Sequence, residues 1–361
     1  MIIAYICSKS PNDQYRVQIR CQNIAEAIQR TGFHSAYLVD IETFIQNTPE
    51  AQEICQKADL LVVHRHLYGA VIKTILLWKA RGKKVIADFD EAVNLITPEM
   101  PSYSFWKKGV SASDRFTNIV FGENPIDPAP LDQFCWGLKA VDAATVPSIR
   151  LADDWSTAVR TFFLPDYLNT DQYMVQRPGN NGYIHIGVSG NAVNFSNLQR
   201  SGLAAALESV SQQRENIVIH FFELEESRIE NTRIPAKQRR IHNNIQAYRW
   251  PMFLSNLDIG IAYAEGKFSM RTSKLRVIEY SVLKIPWLAS NLLPFREMDR
   301  YGRLVPNTEE QWTRAILEVI DHLQAYQAEA NGEPFLYGIS QDVFENVDKI
   351  VAIYDTVLNS R

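Results

Sequence analysis

The stretch RTSKLRVIEY, residues 271–280, sets Arg271, Lys274 and Arg276 within six positions, adds the hydroxyls of Thr272 and Ser273, and follows them with one carboxylate, Glu279. The chain then turns apolar through KIPWLAS. Cations and hydroxyls at a helix start can hold an anion, because side-chain donors and the helix's own field add there. On charge alone the same residues also read as a solvated helix start. A second turn, IGVSGNAVN, ends in Gly187, Ser189, Gly190 and Asn191 ahead of a helix. Small residues let backbone N–H groups approach a phosphate. The segment is neither GxGxxG nor a Walker loop, however, and a plain tight turn accounts for it as well.

In the N-terminal half, VVHRHLYG places His64 and His66 at the end of an apolar run. A period of two would aim both imidazoles the same way, toward whatever lies beyond the strand's carboxyl end. No third metal ligand is near in sequence, so sugar hydroxyls or a phosphate suit the pair better than a metal. The run VIADFDEA carries Asp88, Asp90 and Glu91. Such a DxD could bind a divalent cation through its oxygens; Asp90 as the cap of a following helix, or as a polar group facing a cleft, is the stronger reading. RIPAKQRRIHNN, 233–244, reads as a solvated helix face, with contact to an anionic lipid surface or polyanionic acceptor as the alternative.

Elements must position these residues. MIIAYIC, HSAYLVD, ADLLVVH and KKVIADF read as strands, separated by helical patterns over 15–31 and 69–80. Apolar strands alternating with helices predict a parallel sheet covered on both faces. The aromatic- and Pro-rich region 98–130 has no clear period and reads as an insertion with a helix of its own. A second alternating series runs from YIHIGVSG through ENIVIHFFEL, LDIGIAYAE and KIPWLAS, followed by helices over 311–330 and 341–358. The expected organisation is therefore an N-terminal Rossmann-like domain (1–165), a linker (166–182), a second Rossmann-like domain (183–340) and a final helix (341–361). Ligands of such sheets sit beyond the carboxyl ends of the strands, here in the cleft expected between the two domains.

Composition sets bounds on function. A chain of 361 residues with 46% hydrophobic residues can bury two cores, and 22% charge is globular rather than disordered. A net charge of −4 argues against wrapping nucleic acid by bulk attraction. Cys7, Cys21, Cys55 and Cys135 are scattered and form no CxxC pair, so neither a disulfide framework nor a zinc site is expected. MIIAYICSKS has no basic leader and reads as a first strand, and no apolar run approaches the ~20 residues that span a bilayer. A reducing, cytoplasmic setting is expected, with peripheral contact at the inner face of the membrane compatible with it.

Taken with its neighbours, the opening stretch gains meaning. LDIGIAYAEGKFSMRTSKLRVIEYSVLKIPWLASNLLPFREM, followed by YGRLVPNTEEQWTRAI, resembles the donor-binding half of family-4-type glycosyltransferases of GT-B fold, which carry a "DIGIAP" strand, a "KSxxKxxEY" helix, a "G-x-P-x-x-AS" strand and a "G-x-L-V" turn. Weaker echoes are Tyr15–Arg16, IADFDEA, the segment from Asp142 to Ser148, LPDYLNTDQY and IHIGVSGNAVNFSNL. The resemblance implies two Rossmann-like domains facing across a cleft, with the last helix returning to the first. It also implies transfer of a sugar from a nucleotide diphosphate donor to a glycan, lipid-linked or other acceptor, with retention and without a required metal or other cofactor.

On this resemblance Arg271, Thr272, Ser273, Lys274 and Arg276 meet the diphosphate, with Lys274 and Arg276 as catalytic candidates. Glu279 accepts from the ribose, and Gly190 and Asn191 approach from the other loop. Arg16, His64 and Asp90 are acceptor-side candidates and His66 a catalytic one. The chain departs from the family where Arg271 stands eight positions before Glu279, a place where many relatives keep an acid, and where Thr272 and Arg276 replace the two lysines of the KSxxKxxEY motif. SKSPNDQYR also replaces the usual N-terminal glycine pair. An inert GT-B scaffold binding a glycan or protein partner, and a nucleotide-sugar epimerase, are the rival readings.

Overall fold

Apolar runs such as IIAYIC and LLVVH offer no polar face to water, so they are stable only as strands covered on both sides. The computed structural model, which describes residues 1–10, 13–111, 115–122, 126–177, 179, 182–190 and 195–360, places them so. The chain divides into two units, one of residues 1–167 with 343–361, the other of residues 168–342.

In the first unit β1 (Ile2–Cys7), β2 (Ser35–Asp40), β3 (Leu60–His64), β4 (Lys84–Asp88), β5 (Ala143–Val146) and β6 (Thr161–Phe163) form one sheet in the order β2-β1-β3-β4-β5-β6. Every pairing is parallel. Ile3, Tyr5, Leu60, Val62 and Ile86 pack against Ile24, Ala27 and Ile28 of the helix Asn23–Arg30 and against Ile350, Tyr354 and Val357 of the last helix, Val347–Leu358. The last helix is fixed there by a buried bond between Tyr354 OH and Tyr5 OH, 3.0 Å. Strand order reverses between β1 and β3, which makes the carboxyl ends of those two strands the topological switch point.

The second unit contains β7 (Ile184–Gly190), β8 (Ile217–Phe222), β9 (Arg239–His242), β10 (Ile259–Tyr263), β11 (Trp287–Ser290) and β12 (Arg303–Val305), again all parallel. Their order is β12-β11-β10-β7-β8-β9. Numbered within the unit this is the 3-2-1-4-5-6 order of dinucleotide-binding sheets, with its switch point between β7 and β10. Leu198, Leu207 and Val210 cover one face together with Trp312, Ile316 and Val319.

Several elements differ from the sequence expectation. The stretch 233–244 is not a helix: a 3-10 turn, Ala236–Gln238, leads into β9. The last helix starts at Val347, because Asp342 is spent on Thr170, accepting from its N–H at 3.0 Å and its hydroxyl at 2.7 Å. That contact lies within the second unit, which already includes Leu168–Tyr173 at the start of the expected linker. Among the described residues, region 98–130 holds the short helices Tyr103–Lys108 and Arg115–Val120, anchored by Phe121 stacked on Tyr68 and Trp106 edge-on to Phe134.

Candidate functional site

Beyond the carboxyl end of β10 the chain is held in a fixed path. Ala264 donates its N–H to Ser290 Oγ at 3.0 Å, and Asn307 Nδ2 donates to the Ala264 carbonyl at 2.8 Å and to Glu265 at 2.9 Å. A one-turn helix, Gly266–Ser269, then leads to the turn that starts helix Leu275–Val282. Thr272 and Ser273 are buried and shape that turn: Thr272 Oγ1 donates to the Ser269 carbonyl at 2.7 Å, and Ser273 Oγ accepts from the Leu275 N–H at 3.0 Å. Their hydroxyls cap the backbone, a use that competes with ligand binding.

The three cations of the turn differ in setting. Arg271 donates to the Lys267 carbonyl at 3.0 Å. Lys274 reaches Glu297, a half-exposed partner, at 3.3 Å, a surface pair that another anion can replace at little cost. Arg276 is locked: Nη1 donates to Glu279 Oε2 at 2.5 Å, and the guanidinium lies 4.2 Å from the centre of the Trp250 ring. Glu279 is fully buried, and its Oε1 accepts from Tyr173 OH at 2.5 Å and Trp250 Nε1 at 2.9 Å. A buried carboxylate left without such partners would be costly. The three protein donors come from separate segments and fix the orientation of the Glu279 carboxylate. Gly190 closes β7 at the same switch point; Asn191 lies outside the described residues.

In the first unit the switch point holds a network of charges. Residues 14–30 form a helical stretch whose middle turn, Gln18–Gln22, is a π-turn, a feature frequent at functional sites. It carries Arg20, 1% exposed, which meets Asp88 through Nη2 at 2.5 Å and Nε at 3.1 Å, and Asp166 through Nη1 at 3.0 Å. Thr145 Oγ1 donates to Asp88 at 2.7 Å, and His64 Nδ1 lies 2.9 Å from the same carboxylate. Burial would raise the Asp88 pKa; Arg20 and the hydrogen bond from His64 reverse that and hold it well below the ordinary value.

Arg65 adopts φ +63°, a left-handed conformation unusual for a non-glycine residue. It is fixed there by its N–H on the Asp88 carbonyl at 2.7 Å and by ion pairs to Asp13 (3.2 Å), Asp90 (3.2 Å) and Glu91. Asp90 also lies 3.1 Å from Arg16 Nε. No helix begins at Asp90, so the cap reading is replaced by this double ion pair, which holds its pKa down to about 2 against the effect of burial. The two histidines do not share an aim, because β3 ends at His64 and Arg65 turns the backbone. His66 Nδ1 meets Tyr68 OH at 3.0 Å and its Nε2 lies 3.8 Å from Asp13. Burial lowers the His66 pKa to about 3 despite Asp13, so it is neutral at pH 7.

His64 Nε2, both Asp90 oxygens and Asp166 Oδ2 are buried with no hydrogen bond from the protein, the Asp90 contacts being close but poorly aligned. Buried polar atoms are normally satisfied, so this end of the sheet holds capacity for hydroxyls of a ligand. The structure thus brings Arg16 and Asp90 into contact and ties His64 to Asp88. It sets Arg271, Thr272, Ser273 and Lys274 in one turn of the other unit, with Arg276 and Glu279 on the helix that follows. Sequence reasoning missed Arg20, Arg65 and Asp166, and passed over the aromatic clamp of Trp250 and Tyr173 on Glu279. Arg20 and Arg16, four apart on one helical stretch, were the available signal.

No protein-family model matches the chain, and no curated protein sequence does. Solved structures do match, along almost the whole chain. Sucrose-phosphate synthase from Thermosynechococcus elongatus is 12% identical over 99% of both chains, with a TM-score of 0.63. The Anabaena protein HepE, in complex with UDP and glucose, is 10% identical over 98% of this chain and 99% of its own, at 0.60. UDP-GlcNAc 2-epimerase from Neisseria meningitidis, bound to UDP-GlcNAc, is 10% identical over 100% of both, at 0.52. At these identities the likeness is one of fold, and the fold is GT-B, with two Rossmann-like units.

Proposed function

We propose that the chain is a glycosyltransferase that moves a hexosyl group from a nucleoside diphosphate donor, held by the second unit, to a carbohydrate or lipid-linked acceptor, held by the first. The observation that carries this reading is the placement of Arg271, Lys274 and Arg276 in the turn and first residues of helix Leu275–Val282, after β10 at the switch point of a 3-2-1-4-5-6 sheet. The whole-length fold likeness to sucrose-phosphate synthase and to HepE, whose structure holds UDP and glucose, supports it, as does the resemblance of residues 257–316 to the family-4-type donor motif.

The chemical difficulty in such a transfer is the departing diphosphate. As the bond from the anomeric carbon to the diphosphate oxygen breaks, negative charge grows on that oxygen, and preorganised donors are what lower the barrier. Lys274 is free to exchange Glu297 for a phosphate. Arg276 is aimed by Glu279 and Trp250 before any ligand arrives, so little is lost in ordering it. Cations in these roles suit transfer without a required metal, and retention is what the family resemblance implies. In the first unit, neutral His66 and the buried polar atoms around Asp90 are suited to acceptor hydroxyls.

Calorimetric titration with UDP, GDP and ADP tests the donor site. One nucleotide is expected to bind, and Lys274→Ala and Arg276→Ala to weaken it by roughly tenfold to a hundredfold each, the worth of a hydrogen bond to a charged group. Absence of binding by any nucleoside diphosphate or nucleotide sugar would overturn the proposal. The fold likeness to a UDP-GlcNAc 2-epimerase favours one second reading. Conversion of the donor sugar with no acceptor present would select it, and nucleotide release dependent on an acceptor would reject it.

A further inference from the structure

At the amino ends of β11 and β12 the second unit has a cavity of about 420 Å³. Trp287 and Arg303 open those two strands, and helices Glu309–Asp321 and Leu323–Ala330 close the cavity with Val319 and Tyr326. Its walls are mainly apolar and aromatic, formed by Trp287, Tyr301, Leu304, Val319, Tyr326 and Pro334. That size and lining are those of small-molecule pockets. None of its lining residues belongs to the turn that follows β10 or to helix Leu275–Val282. β11, four residues long, puts about 10 Å between this end of the sheet and the carboxyl end.

Most polar groups of these walls are already used. Trp287 Nε1, the ring's single donor, donates to Ser281 Oγ at 3.1 Å. Tyr326 OH accepts from Arg303 Nη1 at 2.8 Å and donates to Glu318 Oε1 at 2.9 Å. Arg303 Nη2 donates to Glu318 Oε2 at 2.6 Å, so the guanidinium that lines the cavity is neutralised by a carboxylate. Trp287 and Tyr326 therefore offer a ligand their rings rather than hydrogen bonds.

Two further charged groups line the cavity, and both are acids. Asp299 and Glu329 are exposed, and among the described residues no cation pairs with either carboxylate. An anion would meet these two carboxylates and an arginine already held by Glu318. A polyhydroxyl ligand would give up its water to walls whose donors are spent. An organic cation meets neither difficulty. Its apolar body lies on the rings, and its charge is drawn to the carboxylates and to the negative faces of the aromatic rings.

We propose that this cavity is a binding site for a small organic cation, an amine or quaternary ammonium carried on an apolar body. It lies apart from the site at the carboxyl ends of the strands, and it does not rest on the transferase reading, since no nucleotide takes part. Asp299 and Glu329 keep their water, so their attraction is modest and screened by salt, and the apolar walls supply the rest.

The test is calorimetric titration of the full chain, without nucleotide, with hexylamine, phenethylamine and choline, set against hexanol and hexanoate. At least one cation is expected to bind saturably, hexylamine more tightly than hexanol, and hexanoate most weakly. Asp299→Asn combined with Glu329→Gln should weaken the cation about fivefold, the worth of surface ion pairs, and leave hexanol unchanged. Added salt should act in the same direction. Both side chains are exposed, so the double variant is expected to fold as the parent does. Leu304→Lys, which places a cation of the protein's own in the cavity, should abolish binding. No saturable binding by any of the three cations would overturn the proposal, as would hexanol binding as tightly as hexylamine, or an affinity for the cation unchanged in the double variant.

Discussion

At the scale of the residue, the first unit is organised by one arginine. Arg20 is buried between Asp88 and Asp166, and each of its terminal nitrogens has a carboxylate oxygen within hydrogen-bond distance. Such a cluster is weak support for stability when whole and costly when cut, because the partner left behind is a charge in a poor solvent. Arg20→Met is therefore expected to destabilise the first unit by about 3–5 kcal/mol, read as a fall in the urea midpoint. Arg20→Met combined with Asp88→Asn should recover part of that loss; a double variant less stable than Arg20→Met by the full cost of Asp88→Asn alone would show that the pair carries no coupling. Arg20 was illegible in the sequence because a helix normally turns one cationic face to water. What turns this one inward is the π-turn over Gln18–Gln22 together with two acids far away in the chain. Glu279 was read from its motif, but its clamp by Tyr173 and Trp250 comes from segments with no spacing relation to it.

At the scale of the element, helix Leu275–Val282 lies close on its sheet because β10 has a glycine beneath it. A Cβ on Gly260 would stand 2.5–2.6 Å from the ring atoms of Tyr280, a fully buried side chain with nowhere to retreat. Gly260→Ala should cost about 1–3 kcal/mol through overpacking. By lifting helix Leu275–Val282 it should also weaken nucleotide binding, so thermal unfolding and calorimetric titration of the one variant check both; a variant with full stability and unchanged affinity would separate the helix position from the site. The two sheets were legible because their strands are continuous apolar runs between helical patterns, which few other arrangements accommodate. The stretch 233–244 was not, because RRIH pairs at a sheet edge and its charges are those of a solvated helix too; backbone pairing with Ile219–Phe222 decided the outcome. The helix expected after Asp90 failed for a similar reason, its carboxylate being held by Arg16 and Arg65 rather than by backbone N–H groups.

At the scale of the whole molecule, each unit carries a buried histidine whose titration has the same sign. Burial pushes His66 in the first unit and His220 in the second down to about 3, from an ordinary value of 6.5. The groups facing His220 are His185, His242 and Arg240, with Asp258 acting on His185; those facing His66 are Asp13, Arg65 and His64. Between pH 6.5 and about 3 the unfolded chain binds a proton at each site that the folded chain refuses. Stability is then fully present above pH 6.5 and falls as pH is lowered through that window, by about 1.4 kcal/mol per pH unit for each histidine. Asp88 and Asp90, with folded pKa values below the ordinary 3.8, add a further loss in the same direction as pH falls below that value. Both units should therefore keep a constant melting temperature between pH 8 and 7 and lose it progressively in acid. His220→Phe removes one titrating group, so it should flatten the decline of the second unit alone between pH 6 and 4, measured by calorimetry with the two transitions resolved. If that variant declined as steeply as the parent, His220 would not be the group that refuses the proton.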